Sequence, residues 1–93
     1  MSDLTVVFAV YGALKGGNQD ECQAVNVKEI LQTAINASQG IVKIDNSTMG
    51  GDPSVGNTKH FGAIVTHDSK TNYFACKEGQ TIDFYHTLPP SSK

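Results

Sequence analysis

Between Asp45 and Gly62 the chain gathers side chains that could recognise or transform a polar ligand. Asp45 and Asp52 offer carboxylates, Asn46 and Asn57 offer amides that donate and accept, and Lys59 and His60 offer cationic or neutral donors. Four of the nine glycines, at 50, 51, 56 and 62, and one of the three prolines, Pro53, lie among them. Several chemistries can be weighed on spacing alone. Calcium would use Asp45, Asn46 and Asp52, but no Asp-x-Asp-x-Asp-Gly run closing on a Glu is present. A phosphate cradle would need a GxxxxGK[ST] pattern, or a helix following the glycines. Met49-Gly50-Gly51-Asp52 has neither, because the next element reads as a strand. Hydrolysis would need a nucleophile with its base, or paired carboxylates. No Gly-x-Ser-x-Gly elbow occurs, and neither Cys22 nor Cys76 has a nucleophile context. Of the histidines, His67 reads as a solvated turn residue beside Asp68 and His86 as an edge or surface residue. His60, at the junction of loop and strand, is open to a ligand contact or a structural loop bond.

A neutral polyol fits this set better. Sugar hydroxyls both donate and accept, so they suit Asp52, Asn46, Asn57, Lys59 and His60 together, with backbone at Gly50 and Gly51 approachable for want of a Cβ. Tyr11, Tyr73 and Tyr85 are possible stacking platforms, although each reads first as core or strand surface. The plain alternative is an Ω-type loop whose Asp and Asn side chains bond their own backbone. A loop of this length inside a small domain is uncommon and often functional.

The elements that must position these residues follow from pattern. Leu4–Tyr11 is a nearly continuous β-branched and aromatic run, expected as a central strand covered on both faces. Gly12 to Gln23, with Gly16-Gly17-Asn18, reads as turn. Asn26 is a good N-cap with Glu29 three residues on. Val27, Ile30, Leu31, Ala34 and Ile35 then form one apolar stripe, with Lys28, Gln32, Thr33 and Asn36 facing away. That predicts a helix over 27–38, ended at Gly40. Further strands are expected at Ile41–Asp45, Lys59–Thr66, Thr71–Lys77 and Gln80–Tyr85, with turns at His67–Lys70 and Glu78-Gly79. The tail from Thr87 holds two prolines and adds little to a sheet. The fold class is α+β: one helix packed on a mainly antiparallel sheet of about five strands, in the order β-α-β-β-β-β. A first crossover with parallel strands would be right-handed.

Composition bounds the rest. Ninety-three residues make one domain, burying about 60–65% of its unfolded surface. Charged residues are 17% and the formal net charge is −2, without the basic footprint that nucleic acid binding leaves. No apolar run reaches membrane-span length, and Met-Ser-Asp-Leu-Thr is not a signal peptide, so a cytoplasmic or non-classically exported protein is expected. Cys22 and Cys76 are expected as free thiols. The alternative is one bridge closing a long loop, worth roughly 4 kcal/mol by loop entropy.

Gly50-Gly51-Asp52-Pro53, followed by Gly56-Asn57-Thr58-Lys59-His60-Phe61-Gly62, resembles the small α-galactosyl-binding lectins of Lyophyllum decastes and related fungal and plant proteins. The resemblance runs over nearly the whole chain, including Val10-Tyr11-Gly12-Ala13-Leu14 and the helix starting near Val27. It implies a homodimeric lectin, neither enzyme nor cofactor-dependent, that binds terminal α-galactosides and favours galactosyl-α1,4-galactose. Carried onto this chain, its sugar contacts fall on Asn46, Gly51, Asp52, Asn57, Lys59 and His60. A protein-interaction or stress/defence module with a structural 45–62 loop is the alternative.

Overall fold

The computed structural model describes residues 4–85. His86 and the tail from Thr87 therefore lie outside the described residues. Six strands and one α-helix follow in chain order: β1 (Leu4–Leu14), β2 (Cys22–Asn26), α1 (Lys28–Ser38), β3 (Ile41–Lys43), β4 (His60–His67), β5 (Lys70–Lys77) and β6 (Thr81–Asp83). They form a four-stranded sheet in the order β2-β1-β4-β5, antiparallel throughout, and a two-stranded antiparallel sheet of β3 and β6. The α+β class holds, while the strands are distributed differently from expectation.

β2 is the element the sequence did not announce. Cys-Gln-Ala-Val-Asn is short and mostly exposed, so it carries no buried face to print a period. It pairs with β1 from Val10 to Leu14 through backbone alone. Gly12 makes this possible: a Cβ there would overlap the Gln23 carbonyl and the Ala24 backbone. The β1-helix-β3 path is therefore not a parallel crossover within one sheet. Nor do the last strands form a full meander, because β6 returns to β3 instead of β5.

β2 is too short to cover the whole free edge of β1, and α1 completes it. The Gln32 amide accepts from the Val6 N–H (2.8 Å) and donates to the Leu4 carbonyl (2.9 Å), and the Val27 N–H donates to the Ala9 carbonyl. Gln32 thus faces the sheet and not solvent, a correction with a clear cause: backbone groups there had no strand partner. The helix begins at Lys28 with Val27, not Asn26, at its N-cap position; Asn26, one residue earlier, accepts the Lys28 N–H through its side chain (2.9 Å). Its end turns left-handed at Gln39 (φ 58°) and Gly40 (φ 90°).

One face of the sheet is core. Leu4, Val6, Ala9 and Tyr11 of β1 join Phe61, Ala63 and Val65 of β4 beneath Val27, Leu31 and Ile35 of the helix. Phe84 completes it, edge-on to Phe61 and tilted against Phe74. β1 keeps its alternation in phase with this core only by a bulge at Val7, where the β4 register shifts between Val6 and Phe8. The other face is bare: Val7 and Phe8 are about half exposed (48% and 49%) and Tyr73 is 75% exposed. β1 is central, as its sequence implies, but the described residues cover it on one face only. Cys22 and Cys76 are free thiols on strands at opposite edges of the sheet, so no bridge joins them.

Candidate functional site

The 45–59 segment is closed at its base by the turn between β5 and β6. The Gly79 N–H donates to the Ile44 carbonyl, the Ile44 N–H to the Gln80 carbonyl, and the Glu78 N–H to the Lys59 carbonyl. Lys59 returns a bond from its own N–H to Glu78 Oε1 (2.6 Å). Inside the loop, Asp45 accepts the Thr48 N–H and Gly51 donates to the Asn46 carbonyl. Met49 and Ser54 are buried, so the loop is anchored into the core at two points.

Lys59 is the hub. It is 3% exposed, and its ammonium lies 2.7 Å from Asp52 Oδ1, 2.9 Å from the Ser54 carbonyl that it donates to, and 3.6 Å from Glu78 Oε1. The hydrogen bond to Asp52 raises the Lys59 pKa above its usual range and lowers that of Asp52. Asp45 is also lowered, chiefly by the Thr48 N–H bond. The Tyr11 hydroxyl, fully buried, donates to Asn46 Oδ1 (2.6 Å); burial first, then the Glu78, Asp52 and Asp45 carboxylates, push its pKa up to about 12. Asn57 donates from Nδ2 to Ser54 Oγ (2.8 Å) and accepts from the Gly16 N–H (3.3 Å), while Ser54 Oγ donates to Gln23 Oε1 (2.7 Å).

Against this frame lies an open cleft of about 420 Å³. Val25 of β2, Val27 and Ile30 at the start of α1, and Met49 give it an apolar wall; Gly50, Gly51, Asp52 and Pro53 give it a polar rim, with Asn26 between. Gly50 has φ 91°, and a Cβ there would press on Ile30, so the loop backbone lies directly against that wall. Asp52 Oδ1 accepts from Lys59 and from the Ser54 N–H, whereas Oδ2 has no partner among the described residues. The Asn26 amide nitrogen is likewise without one. No known protein family, curated protein or solved structure matches the chain.

The six expected sugar contacts therefore separate into three groups. Gly51 and Asp52 line the cleft. Asn46 is engaged by Tyr11 of β1, Asn57 by Ser54 and Gly16, and Lys59 by Asp52, Ser54 and Glu78, so these three are turned away from the cleft into bonds that hold the loop. His60, exposed at the start of β4, lines a second hollow on the bare side of the sheet. None of the three tyrosines reaches the cleft: Tyr11 is core, Tyr73 stands on the bare face, and Tyr85 packs edge-on to His67 near Gly40. The apolar wall instead comes from Val25, Val27, Ile30 and Met49, none of which was singled out as a ligand contact. The helical stripe contained the signal in Ile30, a residue at core spacing that is 37% exposed. The clamp partners Gln23 and Glu78 had no sequence signal, since their reach to Ser54 and Lys59 exists only in the fold.

Proposed function

We propose that the cleft binds the terminal hydroxyls of a neutral sugar and that the protein acts as a lectin without catalysis. The observation that carries this is the division of labour at Asp52. One carboxylate oxygen is fixed by Lys59 and Ser54, which orients the group, and the other is left to accept from a ligand. A fixed acceptor, an adjacent glycine backbone and an aliphatic wall match a pyranose, which presents hydroxyls on its rim and C–H groups on one face. An anion suits the cleft less well, because Asp52 repels it. Specificity for α-galactosides, with galactosyl-α1,4-galactose favoured, rests on the Gly50-Gly51-Asp52-Pro53 and Lys59-His60-Phe61 resemblance. In this reading Lys59 acts as a positioning residue for Asp52. Two copies per molecule would raise avidity for multivalent glycans.

A second reading is favoured by the bonds of Asn46, Asn57 and Lys59. Their engagement in bonds that fasten the loop to the rest of the domain fits a protein-interaction or stress/defence module whose loop is structural. Isothermal titration with a galactosyl-α1,4-galactose disaccharide separates the two. Binding by the parent chain is expected to weaken about tenfold or more in Asp52→Ala and in Val25→Arg, which blocks the wall without touching the clamp. A folded parent chain that binds no galactoside on a glycan array leaves the module reading.

A further inference from the structure

The cleft beside the 45–62 loop is short of donors. Among the residues that line it, only Asn26 and Asp52 carry a side-chain nitrogen or oxygen. Lys59, Asn46 and Asn57 are engaged in bonds that hold the loop, and His60 lies on the other side of the sheet. The Gly51 N–H is spent on the Asn46 carbonyl (2.7 Å). Asp52 as a carboxylate only accepts, so a hydroxyl that donates to its Oδ2 still has lone pairs that need a donor once water has left. Asn26 holds such a donor. Its Oδ1 takes the Lys28 N–H two residues on (2.9 Å), and an N–H has to meet an acceptor, so this bond fixes which corner of the amide is oxygen. Nδ2 stands at the opposite corner of an exposed side chain, without a partner among the described residues.

We propose that Asn26 is a ligand-binding residue of the cleft, donating from Nδ2 to a hydroxyl of the same sugar that donates to Asp52 Oδ2. This rests on the sugar reading of the cleft and adds to it the donor that the glycine-rich rim lacks. A pyranose presents hydroxyls that both donate and accept, so one amide and one carboxylate in a single cleft match two of its groups. The amide is also set in advance. The backbone of Asn26 is held by pairing with Val10 at the end of β2, and its side chain by the Lys28 N–H at the start of α1. Little rotamer freedom is then left to lose on binding. The same seam between strand and helix carries Val25, Val27 and Ile30, so the donor stands beside the wall that meets the C–H face of the ring.

Asn26→Asp tests this by isothermal titration with a galactosyl-α1,4-galactose disaccharide. Aspartate makes the same two-residue turn and keeps the acceptor for the Lys28 N–H, while the donor is lost. Affinity is expected to fall about tenfold, with a thermal midpoint equal to the parent's or higher, because a carboxylate is favourable beside the first turn of a helix. Asn26→Ala loses donor and acceptor together, and is expected to weaken binding by a similar factor and to lower the midpoint as well. Monodeoxy galactosides locate the contact. One hydroxyl whose removal weakens binding to the parent about tenfold is expected to make no difference in Asn26→Asp. A parent chain that binds the disaccharide, with Asn26→Asp of equal affinity, overturns the role of Asn26 and leaves the sugar reading standing. Deoxy penalties that all persist in Asn26→Asp do the same. A folded parent that binds no galactoside overturns both.

Discussion

The two faces of the central sheet are built from the same strands by the same alternation, and they end in opposite states. On one, β1 and β4 contribute Leu4, Val6, Ala9, Tyr11, Phe61, Ala63 and Val65, and the helix, Met49 and Phe84 close over them. On the other, Phe8, Ile64 and Tyr73 stand side by side, with Phe8 and Tyr73 exposed and Ile64 half-buried. The difference lies in the connections. Helix, loop and small sheet all return to one side, so the buried core accumulates there. The polar 45–62 loop belongs to the covered side, where it is both lid and cleft wall. Its donors and acceptors are largely engaged in that structural role, while Asp52 Oδ2 at the cleft keeps no partner among the described residues.

The contrast can be broken from either side. The largest effect is expected for Phe84→Ala, which empties the space between Phe61 and Phe74 and should cost about 3–5 kcal/mol in urea denaturation. Tyr73→Ala, at an exposed residue of the other face, should stay within about 0.5 kcal/mol. Equal losses would mean that the bare face contributes to the monomer fold. Next comes Gly12→Val, where the side chain would collide with β2; a loss of about 1–3 kcal/mol is expected, together with weaker binding in the cleft whose wall β2 supplies. Tyr11→Phe removes the hydroxyl bonded to Asn46 and should cost about 1 kcal/mol.

The smallest effects are in pH dependence, and their signs differ. The Tyr11 pKa is raised from 10.0 to about 12, so its stabilisation is complete below pH 10 and is lost as pH rises toward 12. Phenolate absorbance should show one tyrosine ionising late, and Tyr11→Phe should remove it. Lys59 is also raised, so its contribution is present at neutral pH and fades in strong alkali. Asp52 and Asp45 are lowered, so they stabilise above the ordinary carboxylate pKa of about 4 and lose that as pH falls below it. Thermal melts of Asp52→Asn should show a shallower acid decline than the parent. An identical acid limb would mean that the Lys59 contact adds nothing to stability.

Much of the frame was legible in the chain. Period 3.6 from Val27 to Ile35 marked the helix, and the structure places it at Lys28–Ser38. The hairpin at His67–Lys70 was marked by its turn residues, and Asp68 and Ser69 both adopt positive φ there (52° and 67°). The strand β2 was not legible, because an exposed strand held by backbone pairing imposes no pattern on its side chains. Of the residues lining the cleft, Gly51 and Asp52 were among those singled out on the chain, although Gly and Asp are also ordinary turn residues. Val25, Val27 and Ile30 were not, because an apolar residue at core spacing looks the same whether it meets the core or a cleft.

The sequence by itself determined the class of the fold, the helix, the long polar loop and the apolar strands, since each depends on local periodicity and turn chemistry. Tertiary structure alone decided which of the loop's polar groups remain available. Lys59, Asn57 and Asn46 read as equal to Asp52 along the chain. They differ because Glu78, Gly16 and Tyr11 are brought to the loop from elsewhere and engage them, whereas Asp52 meets Lys59 and Ser54 through one oxygen only.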